Sequence, residues 1–204
     1  YQVDTLNINQ VVDMALTVFQ PGKKNIVIEK KPAPDLYKVN GDRSQLEQVL
    51  LNLLVNASQA MVDGGTLTIG TRNITIKNSS CFHFDVAPGA YVEISVQDTG
   101  IGMDKATQKK IFDPFFSTKM PGNIKQRGLG LSTVFGIVKN HGGFITVESE
   151  KNAGALFRVA LPGLAPVDIQ RFEAEDDAFD LMPKGGETVL VVDDEPGHRM
   201  MVGA

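Results

Sequence analysis

Residues 52–61 read NLLVNASQAM, and this stretch decides the fold. It lies inside a longer helical pattern that starts after Gly41, takes Asp42 as its N-cap and is stopped by Asp63-Gly64-Gly65. Leu46, Val49, Leu50, Leu53, Leu54 and Ala57 recur at the spacing of a single helix face, which must be buried against another layer. The other side carries Gln48, Asn52, Asn56 and Gln59, which stack because residues three and four apart on a helix are neighbours. Asparagine is a mediocre helix former, and a buried amide without partners costs roughly 1–3 kcal/mol. A merely solvated face would carry Lys and Glu. A stripe of amides fits either satisfaction by neighbouring loops or a polar ligand; an amide oxygen can ligate a hard cation such as Mg²⁺, which bridges phosphates.

The layer that receives this helix is legible on both sides of it. KNIVIEKKP reads as a strand, TLTIGTRNITIKN and AYVEISVQD alternate like strands, and GFITVESE and GALFRVALP form a hairpin over KNAG. Cys81 to Pro88 falls in a loop. Helical spacing appears at Ile8, Val11, Val12, Ala15, Leu16 and Phe19, ended by Pro21-Gly22, after Asp104, and again from Leu131 to Asn140 before Gly142-Gly143. The fold class is therefore α/β: a two-layer sandwich of one mixed sheet with helices on one face.

Composition sets the bounds. The 204 residues are 42% hydrophobic and 22% charged, ordinary for a globular domain of about 150 residues plus extra. A net charge of −4 argues against nucleic acid as a partner. The single cysteine, Cys81, has no partner in the chain, which fits a reducing, cytoplasmic setting. No apolar run reaches membrane-span length and no signal peptide is visible, although a parent protein could still be membrane-anchored.

Three further segments decide what the amides face. VQDTGIGMD places Asp98 at a strand end, followed by Gly100 and Gly102; a pocketed carboxylate can accept the exocyclic amine of adenine and disfavours guanine. RGLGLSTVFGIVKNHGG places Gly128 and Gly130 at the entrance of a helix, where free N–H groups and the helix dipole suit phosphate. It matches neither a Walker loop nor a dinucleotide fingerprint. Between them, IFDPFFSTK reads as a packed anchor of aromatic and aliphatic side chains around Pro114, and the basic STKMPGNIKQR after it has the profile of a lid.

The ordered set of amide helix, D-x-G-x-G, F-D-P-F-F and G-L-G-L resembles the N, G1, F and G2 boxes of sensor histidine kinases. Over about residues 4–162 the chain is similar to their catalytic ATP-binding domain, the Bergerat (GHKL) fold shared with gyrase, the Hsp90 chaperone and MutL. The resemblance implies ATP and Mg²⁺ as cofactors. It implies Asn56 as Mg²⁺ ligand and Asp98, with Gly100 and Gly102, at the adenine. It implies the lid and the turn Gly128, Leu129, Gly130, Leu131 and Ser132 at the phosphates. Hydrolytic relatives carry a glutamate four residues before the metal asparagine to activate water. Here that place holds Asn52, which cannot act as a base, so slow hydrolysis and a kinase role are expected.

The resemblance also implies partners. The family's phosphoacceptor histidine sits on a dimerising helical hairpin upstream. His83, His141 and His198 lack that context, and His141, at a helix end, reads as a structural cation favoured by the dipole. The chain is therefore expected to bind ATP without autophosphorylating, and to be monomeric while its parent is a homodimer. After residue 163 the texture changes: 164–186 reads as an acidic linker. ETVLVVDDEP, within 187–204, resembles the first strand of a response-regulator receiver domain, with Asp193 and Asp194 as its acidic pair. A hybrid kinase, with a receiver domain or response regulator as phosphorelay partner, is the expectation.

Two departures from the family pattern generate a test. Gln59 stands where many members carry Lys or Arg, and the G2 box opens Gln126-Arg127-Gly128 rather than G-T-G. Arg127 and Lys119 are expected to neutralise the phosphate charge that a basic residue at position 59 would otherwise meet. Arg127→Ala should weaken Mg²⁺-ATP binding, most at low salt because screening already blunts the contact at high salt. Unchanged affinity across a salt series would exclude this role.

Overall fold

A computed structural model describes residues 3–19, 25–77, 86–116 and 128–165. The strands and helices run β1 (Asp4–Leu6), α1 (Ile8–Val18), β2 (Ile26–Lys31), β3 (Lys38–Gly41), α2 (Arg43–Ala60), β4 (Gly65–Ile76), β5 (Gly89–Asp98), α3 (Lys105–Gln108), α4 (Gly130–Asn140), β6 (Phe144–Ser149) and β7 (Ala155–Leu164). The sheet order is β1-β3-β7-β5-β4-β2, with β6 also on β7. The β2–β4 pair is parallel and the other pairs are antiparallel, so the sheet is mixed, as expected.

One face of the sheet carries a buried apolar row. Val92, Ile94 and Val96 of β5 stand opposite Leu161, Val159 and Phe157 of β7, and Ile69 of β4 stands opposite Val96. Their alternation is the period of two that puts every second side chain on the same face. α2 lays Leu46, Val49, Leu50, Leu53, Leu54 and Ala57 into the same core, all buried. α1 adds Ile8, Val11, Val12 and Ala15, and α4 adds Val134, Ile137 and Val138. The opposite face holds a smaller cluster of Ile76, Val86, Tyr91, Phe144 and Ala160. Beside that cluster, Arg72 grips the buried Glu93 with two hydrogen bonds of 2.8 and 3.2 Å, and Arg158 bridges Glu93 and Glu148.

Caps set the helix starts. Asp42 accepts from the Gln45 N–H (3.1 Å) and Asn7 from the Asn9 N–H (3.0 Å), each satisfying a donor that has no partner within its helix. Two strands were not expected from sequence. β1 and β3 have only 3 and 4 residues, too short for an alternation signal. They exist because β3 pairs with the far end of β7 (Lys38 opposite Leu164) and β1 pairs with β3. The helical signal after Asp104 yields a single short turn, α3. The residues carrying the linker and receiver-strand expectations from 166 onward lie outside the described residues, as do Cys81, His83 and His198. Among the described residues no helix is long and apolar enough to cross a membrane.

The α2 leucine face makes a direct prediction. Leu53 is 1% exposed, and truncating a buried leucine costs about 2–5 kcal/mol when the site cannot collapse. Leu53→Ala should lower the urea midpoint accordingly, whereas Val55→Ala, at a position 43% exposed on the same helix, should change it little.

Candidate functional site

The amide stripe turns to the edge of the helix layer while the leucines go down. Asn52, Asn56 and Gln59 are half-buried and Gln48 is exposed. α4 begins where the two asparagines end. A Cβ placed on Gly130 would lie 3.8 Å from Asn52 Oδ1 and 3.8 Å from Asn56 Nδ2. The amide helix and the glycine turn, 74 residues apart from Asn56 to Gly130, thus meet with only glycine between them. Among the described residues the entrance of α4 has no side-chain cap and no acidic residue in its first turn. Ser132 Oγ and Thr133 Oγ1 both donate back to the Leu129 carbonyl (3.0 and 2.7 Å) rather than covering the first N–H groups. Leu131 packs partly against the core. Uncovered N–H groups with the positive end of the helix dipole suit an anion.

Asp98 ends the buried row of β5, directly after Val92, Ile94 and Val96 and opposite Leu67 and Ala155. It is 3% exposed, a carboxylate at the apolar face's edge. Burial pushes its pKa above the ordinary carboxylate value, while the N–H groups of Gly100 and Ala155 work in the other direction. The Gly100 N–H donates to Asp98 Oδ1 at 2.8 Å, which folds the following loop back over the strand end.

That loop is clamped from two sides. A Cβ on Gly100 would stand 2.6 Å from the Ala60 carbonyl, and the Ile101 N–H donates to the same carbonyl (3.1 Å), so the last turn of α2 holds it. Gly102 has φ +61° and no room for a Cβ against the Glu150 carbonyl, and Gly154 has φ +81° and none against the Asp98 carbonyl. These positions require glycine for conformation and for space. Ser149 Oγ accepts from the Met103 N–H and donates to the Gly154 carbonyl, and Gln108 donates to the Met103 and Ser149 carbonyls. The β6–β7 turn therefore braces the Asp98 loop. KNAG read in sequence only as a hairpin turn; the left-handed Gly154 and its approach to the Asp98 carbonyl are tertiary outcomes.

The aromatic segment corrects an expectation. Ile111 is buried and Phe112 and Phe116 pack against the core, but Phe115 is 74% exposed with φ +66°. Ile111, Phe112 and Phe116 form the anchor and Phe115 does not, because the left-handed turn there points its ring outward. A Cβ on Gly128 would lie 2.6 Å from the Phe116 carbonyl, so residues 116 and 128 are adjacent. Lys119 and Arg127 fall between them, outside the described residues. His141 has a structural role, as expected: its Nε2 accepts from the Asp42 N–H (3.0 Å) and its Nδ1 lies 2.8 Å from the Ile137 carbonyl, so the ring ties the last turn of α4 to the start of α2.

Residues 41–164 match the family model described as histidine kinase-, DNA gyrase B-, and HSP90-like ATPase. The chain belongs to that family. It is 40% identical to the sensor kinase CckA of Brucella abortus over 97% of this chain and 21% of that protein. It is 35% identical to sporulation kinase C of Bacillus subtilis over 78% of this chain and 33% of that protein. The chain thus spans between a fifth and a third of these relatives' lengths. Among solved structures it resembles the catalytic domain of the histidine kinase ThkA in a nucleotide-free form, with TM-score 0.63 and 28% identity over 80% of this chain and 99% of that one. What it matches in ThkA is a histidine-kinase catalytic domain, along nearly that domain's whole length.

For a donor set toward Mg²⁺, this family member offers amides rather than a cage. Among the described residues no group of three His, Cys, Asp or Glu side chains converges. The amide oxygen beside the α4 entrance is Asn52 Oδ1, and Asn56, which has Nδ2 there, would offer its oxygen with the amide turned over. One such oxygen fits an ion delivered with phosphates, since Mg²⁺ keeps waters and binds few protein ligands.

The buried Asp98 predicts a pH dependence in the nucleotide-free protein. Its folded pKa lies above its unfolded value of about 3.9, so the folded state holds the proton more tightly and the cost of ionisation grows as pH rises through that window. Urea midpoints measured against pH should shift in favour of Asp98→Asn relative to wild type as pH rises from about 4, then level off above the raised pKa. Parallel curves would contradict a desolvated carboxylate.

Proposed function

We propose that this chain binds Mg²⁺-ATP and supplies the γ-phosphoryl group to a histidine on an upstream dimerisation domain, in two-component or phosphorelay signalling. The observation that carries this is the meeting of α4's uncapped entrance with Asn52 and Asn56 across Gly130. Asn56 is the residue to hold Mg²⁺, with the α4 turn from Gly128 to Ser132 at the phosphates and Lys119 and Arg127 of the lid neutralising charge. Mg²⁺, when bound, offsets the negative charge that develops between the β- and γ-phosphates. Asp98 reads adenine by accepting its exocyclic amine, and Gly100 and Gly102 let the backbone approach the base.

The kinase reading rests on Asn52. In the transfer, the bond from the γ-phosphorus to the bridging oxygen breaks, ADP departs with that oxygen, and a bond to an imidazole nitrogen forms. An amide at position 52 cannot take a proton from water, so water competes poorly for the same phosphoryl group. The relatives' kinase names and the match to CckA beyond the family model's last residue, 164, support placing this domain within a longer sensor kinase. We assign 1–163 to the catalytic domain, 164–186 to an acidic linker and 187–204 to the start of a receiver domain carrying Asp193 and Asp194. The parent is then a homodimeric hybrid kinase whose catalytic domain faces the cytoplasm.

Titration with Mg²⁺-ATP and Mg²⁺-GTP tests the reading. Binding selective for ATP, lost in Asn56→Ala and in Asp98→Ala and accompanied by negligible turnover, is the expected result. Turnover at the rates of hydrolytic relatives would make the chain an ATPase, and no binding at all would make it a docking module.

A further inference from the structure

The α2 N-terminus contains a local cap that the fold does not use fully. Asp42 accepts from the Gln45 N–H, the first half of a capping box. In the second half, the glutamine side chain would accept from the cap residue's own N–H. Here the Asp42 N–H instead goes to His141 Nε2 at 3.0 Å, and Gln45 Oε1 is buried without a hydrogen-bond partner. A buried carbonyl left without a donor is unfavourable, so the exchange carries a local penalty. Its outcome is a link between two helices in place of a link within one.

The link is tight. His141 is 8% exposed, and its Nδ1 is fixed on the Ile137 carbonyl of α4's last turn. A Cβ on Gly41 would lie 2.8 Å from His141 Cδ2, so the ring fits only because residue 41 has none. α2 and α4 pack side by side in opposite directions. His141 meets Asp42 at one end of the pair, and Gly130 meets Asn52 and Asn56 at the other. The 11 residues of α4 span about 16 Å and a helix of that length is stiff. Where its C-terminus is held therefore fixes where its entrance stands along α2.

We infer that His141 is a positioning residue of the nucleotide site: its hydrogen bond from the Asp42 N–H sets the register of α4 on α2, and with it the spacing between the Asn56 amide and the phosphate-facing N–H groups of α4. This rests on the nucleotide reading above. Site groups need placement within about 0.5 Å, while a slip of one residue along a helix is about 1.5 Å, so one anchored end matters.

Three variants and two readouts test it on the whole chain. His141→Phe keeps the bulk without an acceptor, His141→Gln restores an oxygen that can accept from Asp42, and Gly41→Ala crowds the ring while leaving His141 in place. In the nucleotide-free protein, His141→Phe should move the amide resonances of Gly130 and Leu131 and the side-chain amides of Asn52 and Asn56, and His141→Gln should return them. Mg²⁺-ATP affinity should fall about tenfold in His141→Phe, the scale of one hydrogen bond, and recover in His141→Gln. Adenosine affinity should stay unchanged, because Asp98 is carried by β5. If His141→Phe does not fold, Gly41→Ala is expected to give the same displacement and the same split between ATP and adenosine. Resonances of Gly130 and Leu131 at their wild-type positions overturn the inference, as does an equal loss of ATP and adenosine without rescue by His141→Gln. A wild-type chain that binds neither nucleotide nor adenosine would refute the proposed function alone, and the resonances would still decide the role of His141.

Discussion

The leucine face of α2 lies on the apolar row formed by β4, β5 and β7, and this burial orients everything else. Leu46, Val49, Leu50, Leu53 and Leu54 are each 1% exposed, so α2 cannot rotate without lifting several large side chains into water. With that face held down, Asn52 and Asn56 have to stand at the side, where α4 approaches. The same packing places Ala60 at the Asp98 loop, so one helix touches both halves of the site: its middle faces the α4 entrance and its end braces the turn after β5.

The site is built from close backbone approaches more than from side-chain networks. Gly100, Gly102, Gly128 and Gly154 each sit where a Cβ would strike a carbonyl group of another segment. Interiors packed at crystal-like density leave no slack for such an atom, so these glycines hold the loop positions as firmly as hydrogen bonds would. Asp98 is the exception, a carboxylate kept at the end of an apolar row by two N–H donors although burial disfavours its charge. A group under that tension gains from a ligand donor that takes its free lone pairs.

Long, strongly periodic elements were legible in the sequence. α1, α2, β4, β5 and the β6–β7 hairpin carry enough repeats of 3.6 or 2 for their hydrophobic faces to be counted, and each lies where the pattern puts it. β1 and β3 were not legible, since three or four residues cannot display a period, β3 pairs with β7 more than a hundred residues away and β1 pairs with β3. The outward turn of Phe115 was equally hidden. An aromatic-rich segment predicts burial, and a positive φ at a non-glycine residue is a tertiary outcome.

By itself the sequence determined the fold class, the buried face of α2 and the motifs that place this chain in its family, because these are local matters of period, composition and residue type. The tertiary structure decided which groups meet. Nothing in the local pattern at residues 42–45 says that Asp42 will give its N–H to a histidine 99 positions away and leave Gln45 without it. The same holds for Gly130, which reads as a helix entrance in sequence and becomes the spacer between two asparagines only when α4 packs along α2. Those outcomes depend on how stiff helices share a core, and that is a property of the whole chain rather than of any window within it.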